Sequence, residues 1–391
     1  MKRNMKNLNF LLLLFMIIYS VIGLVMILSA SSVAAILKYH VSSNYFFLKQ
    51  LSFTIIGYVV GYILIHIPTS KYSKLSLYRL FMYGMIASLL IVLFVGKIAG
   101  GAKSWIEIGS RRIQPLEFTK IALIIYLSIY YYKFSLKQYK KTWQYLVALF
   151  YPVVLSLIIF FLLIKQPDLG GALIVAAIMA LVFFSIPKTK KNRKIVYRIV
   201  FGGLLLCGLL CFAFRDKIFD DYQKERFTFL NPCSRYKDDT GYQVCNSYIA
   251  IHNGGISGVG GGNSTQKYMY LPEAHTDFIF AILVEELGLI VGILVVLGYF
   301  IMLFIILKIA KSAQNLRNSI LAYGVFAYLF AHIAVNLLGI LGLIPLTGVP
   351  LPFLSYGGSY NICVIVSLFI VQRINIETRI SREQENIKNI K

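Results

Sequence analysis

The sequence predicts an all-α integral membrane protein of about ten transmembrane helices, with a large extracellular loop between helices 7 and 8. Two observations carry this: composition and the placement of basic residues. Hydrophobic residues make up 58% of the chain and charged residues 14%, with a mean hydropathy of +0.73. That is too apolar for a water-soluble chain of 391 residues. In hydrocarbon a helix satisfies its own backbone hydrogen bonds, and crossing takes about 20 apolar residues. Such runs fall near 8–32, 46–67, 79–96, 117–132, 143–164, 169–187, 196–214, 278–307, 319–342 and 357–372. The first run, Leu8 to Leu28, is long enough to span and lacks a convincing cleavage site, so it reads as a helix rather than a signal peptide.

The formal charge of +23 invites a nucleic-acid reading, but the basic residues lie in short loops between apolar runs, not on one soluble module. They mark topology instead, because Lys and Arg hold loops in the cytoplasm. Lys2, Arg3 and Lys6 precede the first helix; Lys71, Lys74 and Arg79 follow the second; Lys133, Lys137, Lys140 and Lys141 follow the fourth. KTKKNRK, the run Lys188 to Lys194, follows the sixth, Lys308, Lys311 and Arg317 the eighth, and Arg373, Arg379, Arg382, Lys388 and Lys391 the tenth. Both termini are therefore expected inside. Three segments are expected outside: Lys97 to Lys120, Arg215 to Thr276, and Pro345 to Gly358. No tandem repeat divides the chain, which reads as one membrane domain with 215–276 as a loop within it.

Cys207, Cys211 and Cys363 fall in apolar spans, where a thiol packs as a small hydrophobe. Cys233 and Cys245 lie together in the long outer loop, where a disulfide is permitted but not dictated by sequence.

The segment GGAKSWIEIGSRRIQPLEFTK breaks the charge rule by setting Lys103, Arg111, Arg112 and Lys120 outside beside Trp105. A negatively charged partner at the outer surface explains this, since Arg and Lys pair with phosphate oxygens and the ring settles at headgroup level. An interfacial amphipathic segment holding ordinary headgroups is the alternative. Glu117 and Lys120, three apart, suit each other as an ion pair. In KQPDLGGAL, Asp168 reads first as a helix cap. Glu273, His275, Thr276 and Asp277 gather where the eighth span begins. A carboxylate and an imidazole at the lip of a membrane cavity suit acid/base work, whereas a capping role for Thr276 or Asp277 is the competing explanation. Glu285 and Glu286 lie within the span, where ionisable groups face a partner or a wet cavity, and two neighbours cannot both face the same one. NGGISGVGGGNS, Asn253 to Ser264, lacks the Lys-Ser/Thr ending of a phosphate loop and reads as an outer loop or re-entrant turn. IPLTGVPLPFLSYGGS carries Pro345, Pro350, Pro352, Gly357 and Gly358 and should line the outer cavity, because broken backbone at membrane depth is tolerated only there.

Four ordered blocks, GAKSWIEIGSRRIQPLEFTK, KQPDLGGAL, NSYIAIHNGGISGVGGGNSTQKYMYLPEAHTDFIFAILVEELG and GLIPLTGVPLPFLSYGGS, resemble the signature regions of the FtsW/RodA/SpoVE, or SEDS, family. YLPEAHTDFIFA and NSYIAIHNGG look most like its FtsW, cell-division branch. The resemblance implies a GT-C-like fold and an inverting peptidoglycan glycosyltransferase that polymerises lipid II at the outer face of the bacterial membrane and releases undecaprenyl pyrophosphate. It puts the family's essential aspartate at Asp277. Substrate contacts are then expected from Trp105, Arg111, Arg112, Gln114, Glu117, Lys120, Asp168, Glu273, His275 and Ser355. Pro167 to Gly170 and Ser355 to Gly358 match further family motifs, while Leu116 departs from the Ser often found after Gln-Pro. A class B penicillin-binding protein and other divisome membrane proteins are the implied partners, with no nucleic acid. A divalent cation, Mg or Mn, is compatible with the pyrophosphate chemistry, though no His/Asp cluster in the sequence places one. Two other function classes remain open: a lipid II flippase, which should carry charged groups at mid-membrane, and a scaffold without enzymatic activity.

Overall fold

The computed structural model describes residues 7–73, 77–99, 102–108, 111–188, 190–213, 230–237 and 239–390. Each of the ten apolar runs forms a helix: α1 Phe10–Leu37, α2 Tyr45–His66, α3 Leu77–Val95, α4 Pro115–Ser135, α5 Thr142–Lys165, α6 Leu169–Ser185 and α7 Lys190–Ala213, then α9 Ile279–Ser312, α10 Leu316–Ile340 and α11 Gly358–Ile390. Seven of them are long and apolar enough to cross a membrane, and α6 is apolar but shorter. Of the other two, α4 carries Glu117, Lys120 and Lys133, and α7 opens on Lys190, Lys191, Arg193 and Lys194.

Two elements were not expected. Helix α8, Asp239–Gly254, lies inside the long segment between α7 and α9, and a three-stranded antiparallel sheet occupies the Lys97 to Lys120 segment: β1 Lys97–Ala99, β2 Ala102–Ile108 and β3 Arg111–Ile113. Helix α11 runs to Ile390, well past the expected end near 372, because no Gly or Pro interrupts 359–390 and the helix continues through polar sequence. Cys233 and Cys245 are joined in a disulfide that ties the short turn Pro232–Arg235 to α8. Cys363 is free and buried in α11; the side chains of Cys207 and Cys211 lie outside the described residues.

Helices α10 and α11 form the interior. Helix α11 packs along α2, and α10 against α9, α6 and α4, while α1, α2 and α3 present apolar side chains such as Val25, Ile55, Val59 and Leu80 outward, as lipid-facing helices must. At one end of the bundle the Glu377 carboxylate accepts from the Thr69 hydroxyl (2.6 Å), Asn318 (2.9 Å) and Arg373 (3.0 Å), fastening α11 to α10 and to the turn after α2. Residues 255–278 and 341–357 close the other end.

Helix α9 is broken. Gly288 takes φ 88°, ψ 164°, a conformation essentially confined to glycine, so Ile279 to Leu287 forms a separate short helix. The Gly-rich loop repairs the break: the Val259 and Gly260 amides donate to the Glu285 and Glu286 carbonyls (both 3.0 Å), and the Leu289 amide donates to Gly255 (2.9 Å). The adjacent glutamates then point to different partners. Buried Glu285 accepts from the Thr265 hydroxyl (2.9 Å), the Thr265 amide (3.2 Å) and the Ser264 hydroxyl; buried Glu286 pairs with Lys267 (3.0 Å) and accepts from Ser29 (2.6 Å). A Cβ at position 288 would collide with the Ile256 carbonyl. Gly288→Ala should therefore cost about 1–3 kcal/mol, read as a lower melting temperature in detergent. An unchanged melting temperature would show that the break is not strained.

Candidate active site

The four sequence blocks converge on the broken segment 345–357 at one end of the bundle. Asp277 stands half-buried one residue before Phe278, which occupies the cap position of α9. The capping role weighed for Thr276 and Asp277 thus falls to neither; the Thr276 hydroxyl turns back to the Glu273 carboxylate (3.0 Å). Gly348, at φ +69°, lies so close that a Cβ there would stand 3.2 Å from Asp277 Oδ2. The backbone on either side is pinned: the Ser355 hydroxyl donates to the Thr276 carbonyl (2.6 Å), the Tyr356 amide to the His275 carbonyl (2.9 Å), and the Leu351 amide to Ser355 Oγ (2.8 Å).

The first and second blocks approach the same end of the bundle from α4 and α6. Asp168 caps α6, accepting from the Gly171 amide (2.7 Å), and its other oxygen accepts from Ser104 of β2 (3.2 Å). Gly170 fits against Thr347 and Val349, leaving no space for a side chain. The Gln114 amide donates to Ser359 at the start of α11 (3.4 Å). Lys120 is buried, donating to Glu117 (2.8 Å) and to His332 Nε2 (3.0 Å), while Tyr328 donates to the far side of Glu117 (3.4 Å). Both members of this ion pair are 3% exposed or less, so they reach substrate only through the groups they hold.

Not every expected residue comes to the lip. His275, expected beside Asp277 as an acid/base partner, is enclosed between Phe46 (ring centroids 4.7 Å) and Tyr356 (5.8 Å) and is 4% exposed. Its ring packs rather than faces solvent. Burial holds the imidazole down to about 4 from 6.5, with Glu273 acting in the opposite sense and Lys38 reinforcing burial. Between pH 6.5 and 4 the unfolded chain binds a proton here that the folded chain refuses, so stability is complete above that window and falls as the pH drops through it. The melting temperature should accordingly be lower at about pH 5 than at about pH 7, and His275→Phe should flatten that dependence. An equal pH slope in both proteins would rule this account out. Glu273 sits exposed, 3.5 Å from Lys38, a pair worth little in water. Trp105 is half-buried on β2 opposite Lys97. Arg111 and Arg112 pair in register with Ile108 and Glu107 on β2; their side chains, and that of Lys103, lie outside the described residues.

Two residues on α10 escaped the sequence reading. His332 and Asn336, one turn apart, both meet the broken segment: His332 Nδ1 contacts the Pro350 carbonyl (3.1 Å), and the Asn336 amide contacts the carbonyls of Asp277 and Val349 (both 2.8 Å).

The family model described as cell cycle protein, FtsW/RodA/SpoVE, matches residues 9–380. A Bacillus subtilis protein named probable peptidoglycan glycosyltransferase FtsW is 37% identical over 98% of this chain and 94% of its own length. The chain belongs to the FtsW/RodA/SpoVE family. A protein of the same name from Wigglesworthia glossinidia brevipalpis is 34% identical over 97% of this chain and 96% of its own. Among solved structures, a chain from work on the coordination of polymerization and crosslinking by a peptidoglycan synthase complex superposes with a TM-score of 0.73 at 25% identity, covering 94% of this chain and 97% of its own. The rod shape determining protein RodA of Thermus thermophilus shares the fold at a TM-score of 0.65 and 24% identity, over 94% of this chain and 96% of its own. A multi-pass membrane bundle is therefore this FtsW/RodA/SpoVE member's architecture, and the Asp277 cluster is its candidate active site.

Proposed function

We propose that this chain is a peptidoglycan glycosyltransferase that polymerises lipid II into glycan strands at the outer face of the cytoplasmic membrane, serving cell division at the septum. The relatives named FtsW support the activity and the branch. The observation that carries the chemistry is the approach of Gly348 of the broken segment to the Asp277 carboxylate, on a stretch that the second block also meets through Gly170 against Thr347 and Val349. The basic loops support a topology with both termini inside and this end outside, where a lipid-linked sugar is presented.

In the proposed reaction the Asp277 carboxylate takes the proton of a sugar 4-hydroxyl as that oxygen attacks the anomeric carbon of a second lipid-linked disaccharide. The new glycosidic bond forms as the bond to the pyrophosphate oxygen breaks, the configuration inverts, and undecaprenyl pyrophosphate leaves with the electron pair. Lys103, Arg111 and Arg112, on the sheet beside the site, are suited to offset its charge. Trp105, Gln114, Asp168, Glu273 and Ser355 shape the acceptor and donor surroundings. Among the described residues no three His, Cys, Asp or Glu side chains gather to hold a metal ion, so a divalent cation would depend mainly on substrate oxygens, and no step is assigned to it. The structural neighbour from a peptidoglycan synthase complex supports a class B penicillin-binding protein as the crosslinking partner, with other divisome membrane proteins around them.

Purified full chain with its cognate penicillin-binding protein, given labelled lipid II in detergent, should yield glycan polymer. Movement of lipid II across vesicles without polymer would favour the flippase reading. Neither activity, with the partner still bound, would leave the scaffold.

A further inference from the structure

Residues 345–357 follow α10 after the short turn 341–344, yet their backbone is irregular and cannot hold its own shape by internal helix or sheet bonds. Helix α10 supplies the missing constraints at two points on one face. The Asn336 amide nitrogen has two hydrogens, and two carbonyl acceptors lie at 2.8 Å: Asp277 on one chain segment and Val349 on the other. Its Oδ1 is buried with no hydrogen-bond partner among the described residues, so the side chain is oriented by its donated bonds; the flipped amide would set oxygen against two carbonyl oxygens. One turn earlier, the Pro350 carbonyl, which only accepts, requires His332 Nδ1 to donate, leaving Nε2 to accept from the Lys120 ammonium. Lys120 is in turn held by Glu117. A continuous line therefore runs from the buried ion pair through His332 to Pro350, beside an amide clamp that bridges Asp277 to Val349. Gly348, the residue against the Asp277 carboxylate, lies between the two anchored carbonyls' segments.

We propose that Asn336 and His332 are positioning residues: together they set the 347–350 backbone and the Asp277 main chain at the separation that aims the carboxylate at the acceptor sugar. This inference rests on Asp277 being the base, and it goes beyond that reading by naming what holds the base in place. Neither residue touches substrate. Their loss misdirects the base without removing a binding group, so it should act on turnover rather than on affinity, and displacement of a catalytic group by about 1 Å is enough to cost about 100-fold.

The test is steady-state polymerisation of lipid II by the full chain with its cognate penicillin-binding protein, for Asn336→Leu, His332→Phe, His332→Gln and Asp277→Asn, with melting temperatures measured alongside. Asn336→Leu and His332→Phe should lower kcat by about 10–100-fold with KM within about twofold of wild type. His332→Gln, which keeps one donor and one acceptor, should recover most of that loss. If Asn336→Leu does not fold, Asn336→Ser, which keeps a single donor, is read in its place with the same expectation for kcat. Folded variants with wild-type kcat, or a loss confined to KM, would overturn the positioning role while an inactive Asp277→Asn left the base assignment standing. A fully active Asp277→Asn would overturn the base assignment itself.

Discussion

Asp277→Asn is expected to cut lipid II polymerisation by about 100- to 10,000-fold, the range over which a positioned general base accelerates proton transfer. The amide is nearly isosteric, so contacts with Gly348 and the surrounding backbone survive and the protein should melt near the wild-type temperature. What disappears is the anionic, basic oxygen that takes the sugar proton, because an amide oxygen still accepts a hydrogen bond but is far too weak a base to hold the proton. Asp277→Glu keeps the charge but pushes the carboxylate about one methylene further, into the Gly348 backbone, and should therefore be impaired as well. The measurement is initial polymerisation rate against melting temperature for the same preparations. Polymerisation by Asp277→Asn at a wild-type rate would mean that proton transfer lies elsewhere.

The second large effect concerns stability. Lys120 and Glu117 form an ion pair at 2.8 Å with side chains 2% and 3% exposed. Removing one charge strands the other in a low-dielectric interior, at a cost of about 3–5 kcal/mol, whereas replacing both by neutral side chains of similar volume is often harmless to stability. Lys120→Met alone should markedly lower the melting temperature in detergent. Adding Glu117→Gln should restore much of it. The double variant should nevertheless polymerise poorly, because His332 has lost the ammonium that fixes its ring. A single variant as stable as the wild type would show that water reaches the pair.

The helices were legible because a spanning segment must be long and apolar, and ten such runs stand out against basic loops. The Glu117–Lys120 pair and the Asp168 cap followed from spacing alone, since both are local to one helix turn. Asp277 was one polar residue among several until the family resemblance singled it out. His332 and Asn336 were not legible. Each is a lone polar residue on an apolar helix, and what it does depends on a carbonyl that arrives from another part of the chain. Their four-residue spacing, which puts both on one face, and the cost of a histidine within a span were the available signals. The sheet was missed because strands of three and seven residues leave little periodicity to read. Gly288 was missed because one glycine inside an apolar helical pattern is ordinarily tolerated.

The segment 345–357 also has a bearing on how the protein is made. Its partners come from all over the chain: Gln50 and Ser355 are 305 positions apart, Gly357 and Gln50 are 307 apart, and Ser355 and Thr276 are 79 apart. During synthesis, the ten described helices α1 to α10 emerge before this stretch does, and until it arrives the carbonyls and amides meant for it have nothing to meet. An unfinished chain can thus be inserted in the bilayer while still incapable of turnover, and the working centre closes only when the last helix draws the segment into place.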